Sequence, residues 1–194
     1  VANGMLGLVS SPEPLKISRV VLGGLYDIYG KGRVNNFLHG INMLDTELQI
    51  NGSTVTASRI SGYKQTLDMR QGVFCGEFDY QSLARVEYQY TSLRHLPYSF
   101  LLRVRIIPKE DIEVAVANIL TVHESLRNPQ ESFNRIFNGK TAIDFCTSMA
   151  KSPTRELEIG ACSSFVFDDS FPRPEVCHRS ARGVGVHTQE FTVR

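Results

Sequence analysis

The sequence contains no tryptophan, so the preferred flat platform for stacking a ligand ring on an open protein face is missing. Helical periodicity is nearly absent as well, which excludes bundles and coiled coils. The net charge is only +1 at pH 7, and the basic residues are scattered rather than clustered. Such a chain exerts no pull on nucleic acid or on an anionic membrane surface. No apolar run is long enough to span a bilayer. No signal peptide is visible. The chain starts at Val1 rather than Met, so a processed or shortened N-terminus stays open, and the expectation is a soluble protein of the bacterial cytoplasm or periplasm.

Closely paired cysteines are also missing. Cys75, Cys146, Cys162 and Cys177 stand 71, 16 and 15 residues apart. Zinc ribbons need close pairs, so no metal ligands and no cofactor are assigned. Cys75 and Cys162 fall in strand-like runs, where a free cysteine is usually a small buried hydrophobe. A Cys146–Cys177 or Cys162–Cys177 disulfide is open to an exported protein; four free thiols is the simpler reading.

What the chain does contain is strands. Residues 93–120 read as two of them, joined by a turn at Pro108-Lys109-Glu110-Asp111. Alternation puts Phe100, Leu102, Val104 and Ile106 on one face and Arg103 and Arg105, between Leu101 and Ile107, on the other. Residues 20–26 form a short apolar strand that runs into a polar, glycine-hinged loop over 27–36. Residues 46–50 and 53–57 flank Asn51-Gly52, the dipeptide best suited to the positive φ angles of a type I′ hairpin turn. Further strands are predicted over 63–69, 73–80, 84–92 and 154–167, with Tyr88 and Tyr90 spaced as core aromatics.

The pattern weakens over 123–153, which reads as a long excursion with a helical turn at 132–137. Residues 188–194 look like a strand cut off mid-domain, leaving an edge free to pair with a second copy. Strands this regularly spaced, separated by polar turns, predict a single antiparallel β-sandwich over 1–194. As one domain it would bury roughly 70% of its unfolded surface.

Four segments carry a family resemblance. Asn3-Gly4-Met5-Leu6-Gly7, Gly24-Leu25-Tyr26-Asp27, Leu67-Asp68-Met69-Arg70-Gln71-Gly72-Val73 and Ser92-Leu93-Arg94-His95, followed by Arg103 and Pro108, occur in an order that resembles the N-terminal domain of glycoside hydrolase family 65. That family includes maltose, trehalose and kojibiose phosphorylases and related hydrolases. The resemblance implies an antiparallel super-sandwich of the galactose mutarotase type, with few or short helices. It also implies that this chain is a fragment, lacking its own first and last strands and the following (α/α)6 barrel where catalysis takes place. That barrel would be its partner and would hold the oligosaccharide or disaccharide; a homodimer is a further implication. No catalytic residue of the family maps onto this chain.

The polar residues agree with that reading. Glycoside hydrolysis needs two facing carboxyl groups about 5–9.5 Å apart. Asp168 with Asp169 or Glu175, and Glu77 with Asp79, read better as solvated strand or loop neighbours. His95 reads as a structural histidine able to pair with Asp79 or Glu87, and the pair His95 and Glu87 would be needed for a free-standing mutarotase-like epimerase. His123, His178 and His187 lack ligand spacing and receive no role. Ser10-Ser11 and Ser163-Ser164 lack a nucleophile elbow. Residues 24–31 have the wrong spacing and ending for a phosphate loop.

The substrate-binding candidates, effective only with the barrel present, are Asp27, Tyr29 and Arg33 in the glycine-hinged loop. Two alternatives stand beside the scaffold reading: the epimerase and a self-contained carbohydrate-binding module. The missing tryptophans count against the module.

Overall fold

The computed structural model describes residues 1–32, 34–139, 141–168, 171, 174–179 and 185–193. Arg33, Asp169 and Arg194, which enter the sequence reading, lie outside them. The chain opens with the antiparallel pair β1 (Leu6–Ser10) and β2 (Ile17–Leu22), then the short ribbon β3 (Tyr26–Ile28) and β4 (Asn35–Phe37). β5 (Asn42–Ile50) turns into β6 (Ser53–Thr54) through Asn51 and Gly52, both at positive φ (50° and 72°), as the dipeptide predicts. After a 3-10 turn at Ala57–Arg59 come β7 (Ile60–Asp68), β8 (Val73–Tyr80), β9 (Ala84–Ser92) and β10 (Phe100–Pro108), a four-stranded meander.

β11 (Val114–Thr121) leaves that sheet and pairs with β5 instead. The turn after Pro108 is therefore a passage from one sheet to the other. β12 (Arg127–Asn138), β13 (Thr141–Lys151) and β14 (Glu158–Ser163) make a three-stranded meander, and β15 (Cys177–Arg179) and β16 (Val186–Val193) return to β11. The result is an all-β antiparallel sandwich, as expected. One expectation fails: residues 123–153 are not an excursion with a helical turn but most of a long hairpin. The sequence Ser-Phe-Asn-Arg-Ile-Phe carries no clean alternation because β12 is exposed at several positions on both faces. Cross-strand pairing with β13 stabilises it instead.

The five-stranded sheet, in the order β15-β16-β11-β5-β6, is the centre of the molecule. Residues of even number on β11 and β5 face inward. At one end they meet the four-stranded sheet: Leu48, Ile50, Val114 and Val116 pack with Phe78, Tyr88 and Tyr90 in a single apolar core. Burying each such side chain contributes about 1.5–3 kcal/mol, so the two tyrosines are core residues as their spacing predicts. A second, smaller core gathers Leu25, Leu38, Ile41, Leu126, Ala150 and Ile159 around the three-stranded sheet. β16 is an interior strand: β15 pairs with it over Thr188–Glu190, covering much of the edge expected to be free.

All four cysteines are free thiols. The buried one is Cys146, not Cys162, which is exposed opposite Thr147 on the outer face of the three-stranded sheet. Alternation along β15 turns Cys177 away from the face that carries His178, so neither disulfide pairing is made. Among the described residues, no helix is long and apolar enough to cross a membrane.

Candidate functional site

The loop singled out by the sequence is the connection of the β3–β4 ribbon, and the ribbon is anchored from within. Asp27 is buried. Its carboxylate accepts hydrogen bonds from the Ile28 N–H at 2.6 Å, the Thr154 N–H at 2.9 Å and the Thr154 hydroxyl at 2.8 Å. Burial alone would raise its pKa; the bonds from Ser152, Thr154 and Ile28 outweigh that and hold it down at about 2. The acceptor capacity of Asp27 is thus spent on the protein, and it ties the ribbon to the turn between β13 and β14.

Tyr29 is half-buried against the second core. Its carbonyl accepts the Asn36 side-chain amide at 2.7 Å, which closes the loop on itself. Gly30 and Gly32 take positive φ (81° and 94°), conformations that β-carbon-bearing residues rarely adopt. Tyr26 and Phe37, missed as a pair in the sequence, are cross-strand partners on this ribbon. Their rings lie 4.5 Å apart, and both are largely exposed. The signal that could have found them is the cross-strand register, which needs the ribbon's turn length and not only its composition.

A second cluster was invisible to spacing. On the inner face of the three-stranded sheet, Phe133 stands opposite Cys146, and Glu131 opposite Ser148. From the five-stranded sheet, His187 and Gln189 project towards them along β16, and His178 on β15 stands across from Gln189. Cys146, His178 and His187 bring one sulfur and two imidazoles together, with donor atoms all within 4.8 Å of one another. Cys146 and His187 are fully buried (0% exposed). Phe133 stacks on His178 at 5.1 Å.

Among the described residues, five buried polar atoms of this cluster have no hydrogen-bond partner: Ser148 Oγ, His178 Nε2, both nitrogens of His187, and Gln189 Oε1. Leaving such groups unpaired costs about 1–3 kcal/mol each. Burial pushes the Cys146 thiol up to about 12, with Cys162 and Glu131 adding to it. Burial, and then His178, lower the pKa of His187.

A cavity of about 680 Å³ runs between β10 and the inner face of β11 and β16. Phe100, Leu102, Val104 and Ile106 form one wall, which is the face their alternation predicted. Phe165 and Phe167, packed edge-on against Phe191 at 4.7 and 5.0 Å, form the other. Its lining is mainly apolar, and among the described residues Asp168 is the one carboxylate that lines it.

The remaining sequence candidates are dispersed. His95 is exposed in the turn between β9 and β10. Glu87 lies on the outer face of the four-stranded sheet in ion pairs with Arg85 and Arg105. Glu77 also pairs with Arg85, and Asp79 pairs with Lys109.

The fold and these sites define an antiparallel β-sandwich. No family model matches the chain. Over 192 residues, 98% of its length, it is 45% identical to a kojibiose hydrolase of Flavobacterium johnsoniae, of which it covers 28%. Over 170 residues, 88% of its length, it is 41% identical to a kojibiose hydrolase of Mucilaginibacter mallensis, of which it covers 25%. The chain therefore spans about a quarter of the length of the relatives it matches, and it is homologous to one part of each.

Proposed function

We propose that this chain is the N-terminal β-sandwich of a glycoside hydrolase family 65 enzyme, a non-catalytic scaffold in a polypeptide that hydrolyses kojibiose or a related α-glucosidic disaccharide. The observation that carries this reading is the match along 98% of the chain to about a quarter of a kojibiose hydrolase. A galactose mutarotase-like super-sandwich followed by an (α/α)6 barrel accounts for that proportion, with the glutamate chemistry and the sugar site in the barrel. The strand carboxylates support a scaffold role. Asp45, Glu77, Asp79, Glu87, Asp144, Glu158 and Glu190 are all held in ion pairs.

Within this reading the β3–β4 loop reaches over the barrel and helps to shape the sugar pocket. Asp27 sets the loop's position through Thr154, and Tyr29 and Arg33 contact the sugar. The exposed pair Tyr26 and Phe37 beside them supports a face that docks on something, since two large rings stand largely open to solvent on a short ribbon. The family reading also carries a homodimer, which light scattering on the full-length polypeptide tests.

Hydrolysis is preferred to phosphorolysis because both relatives are hydrolases by name. The test is to incubate the full-length polypeptide with kojibiose, with and without inorganic phosphate, and to identify the products. Glucose released at a rate indifferent to phosphate is the expected result. Glucose 1-phosphate appearing with phosphate would move the parent to the phosphorylases, and no cleavage of any α-linked glucose disaccharide would overturn the reading.

A further inference from the structure

The geometry points to a zinc site made by Cys146, His178 and His187, a clasp that joins the three-stranded sheet to the five-stranded one. The donor set is the first reason. A thiolate with two imidazoles suits zinc, whose protein sites are built mainly from cysteine and histidine. Zinc bond lengths in a tetrahedron place such donors roughly 3.3–3.6 Å apart. Donors already within 4.8 Å of one another need only a contraction of about 1 Å, within reach of side-chain rotation.

The second reason is the accumulation of unpaired groups. Native proteins leave few buried polar atoms without partners. Among the described residues, five of the seven such atoms lie in this one cluster. His187 is the clearest case, fully buried with neither ring nitrogen bonded. A buried imidazole nitrogen without a hydrogen-bond partner is free to take an ion. Stacking of His178 on Phe133 fixes the orientation of the second ring.

Charge is the third reason. A buried divalent cation must be neutralised nearby. On binding, the Cys146 thiol releases its proton to solvent and contributes one negative charge as the zinc–sulfur bond forms. Glu131 supplies another: its Oε2 stands 3.8 Å from His187 Nδ1. That carboxylate is placed to steady the His187 ring, as outer carboxylates do for ligating histidines. Thiolate, carboxylate and zinc together are neutral.

The position gives the ion a purpose. Cys146 belongs to β13, whereas His178 and His187 belong to β15 and β16. Direct side-chain bonds between these two sheets include Ser163 to Asn118 at 2.6 Å and Gln189 to Ser163 at 3.3 Å. A metal there would hold the long hairpin against the central sheet and stabilise the folded state by mass action. Three protein donors leave the fourth position of the ion to a water molecule. The site lies between packed strands with Cys146 and His187 fully buried, away from the β3–β4 loop, and its role is structural.

The experiment uses the full-length polypeptide, stripped with a chelator and titrated with Co2+ and Zn2+ alone. Bound Co2+ should show a thiolate-to-metal charge-transfer band in the near ultraviolet. Zn2+ should displace it and raise Tm. Cys146→Ser should abolish the band, and His178→Gln, at a half-buried ligand, should weaken metal affinity at least 10-fold while the protein stays folded. The wild-type spectrum decides whether a thiolate–metal bond forms even where the buried cysteine variant does not fold. A wild type without the band, or a band and affinity unchanged in both variants, would overturn the proposal and leave buried water as the partner of these groups.

Discussion

Thr154 donates both its backbone N–H (2.9 Å) and its hydroxyl (2.8 Å) to the carboxylate of Asp27, 127 residues earlier in the chain. This clasp makes the ribbon's stability pH-dependent with a definite sign. Asp27 has its pKa held at about 2, against an ordinary 3.8. Its contribution is complete above the ordinary value and is lost as the pH falls through 4 towards 2. Asp27→Asn should lower Tm at neutral pH and flatten the acid limb in that window. Thermal melts at a series of pH values measure both effects; parallel curves for the two proteins would contradict the assignment.

Gly76 and Tyr88 are cross-strand partners between β8 and β9. A β-carbon added at Gly76 would stand 2.0 Å from Tyr88 Cζ, so the ring occupies the space a side chain would need. Tyr88 is fully buried and cannot swing out to solvent. Gly76→Ala should destabilise the fold by about 1–3 kcal/mol, the usual cost of overpacking. In a Tyr88→Leu background the same alanine should cost much less. A double-mutant cycle in urea reads that coupling directly.

His39 and His123 lie against each other, with ring centroids 4.1 Å apart and planes tilted by 36°. Burial, then His123 and Arg19, keep the pKa of His39 below its ordinary 6.5. A histidine whose folded pKa is depressed favours the native state above its unfolded value, and that contribution is lost as the pH falls below it. The wild-type urea midpoint should therefore decline between about pH 7 and 5, and His39→Gln should decline less. An NMR titration of His39 with a midpoint at or above 6.5 would refute this.

If the full-length polypeptide is the glycosidase proposed above, the loop variant Tyr29→Ala with Arg33→Ala should raise its KM for the sugar about 10-fold, equivalent to about 1.4 kcal/mol of binding. The value of kcat should change little, because neither residue is assigned to the chemistry. Steady-state kinetics on the full-length polypeptide decides the matter. Unchanged KM would remove these residues from the sugar pocket.

Much of the fold was legible in local order. The limits of β8 and β9, the Asn51-Gly52 turn and the inward face of β10 all follow from alternation and turn chemistry, which act between neighbours in the chain. Asn51 hints at where local reading stops. Besides making the turn, its side chain accepts the Glu113 N–H at 2.8 Å, a long-range brace that no hairpin rule contains. The β12–β13 hairpin was missed because exposed apolar residues such as Ile136 and Phe137 blur its period. Its stability comes from the partner strand.

The sequence by itself determined an all-β antiparallel chain, a tyrosine-rich core and the absence of a local catalytic motif. These depend on side-chain period and on residue types within a few positions of one another. Only the tertiary structure decided that residues 109–113 pass between sheets, that Asp27 is consumed as an anchor, and that Cys146, His178 and His187 meet. Their separations along the chain carry no signature, because the strands that bring them together are aligned by sheet packing rather than by any local rule.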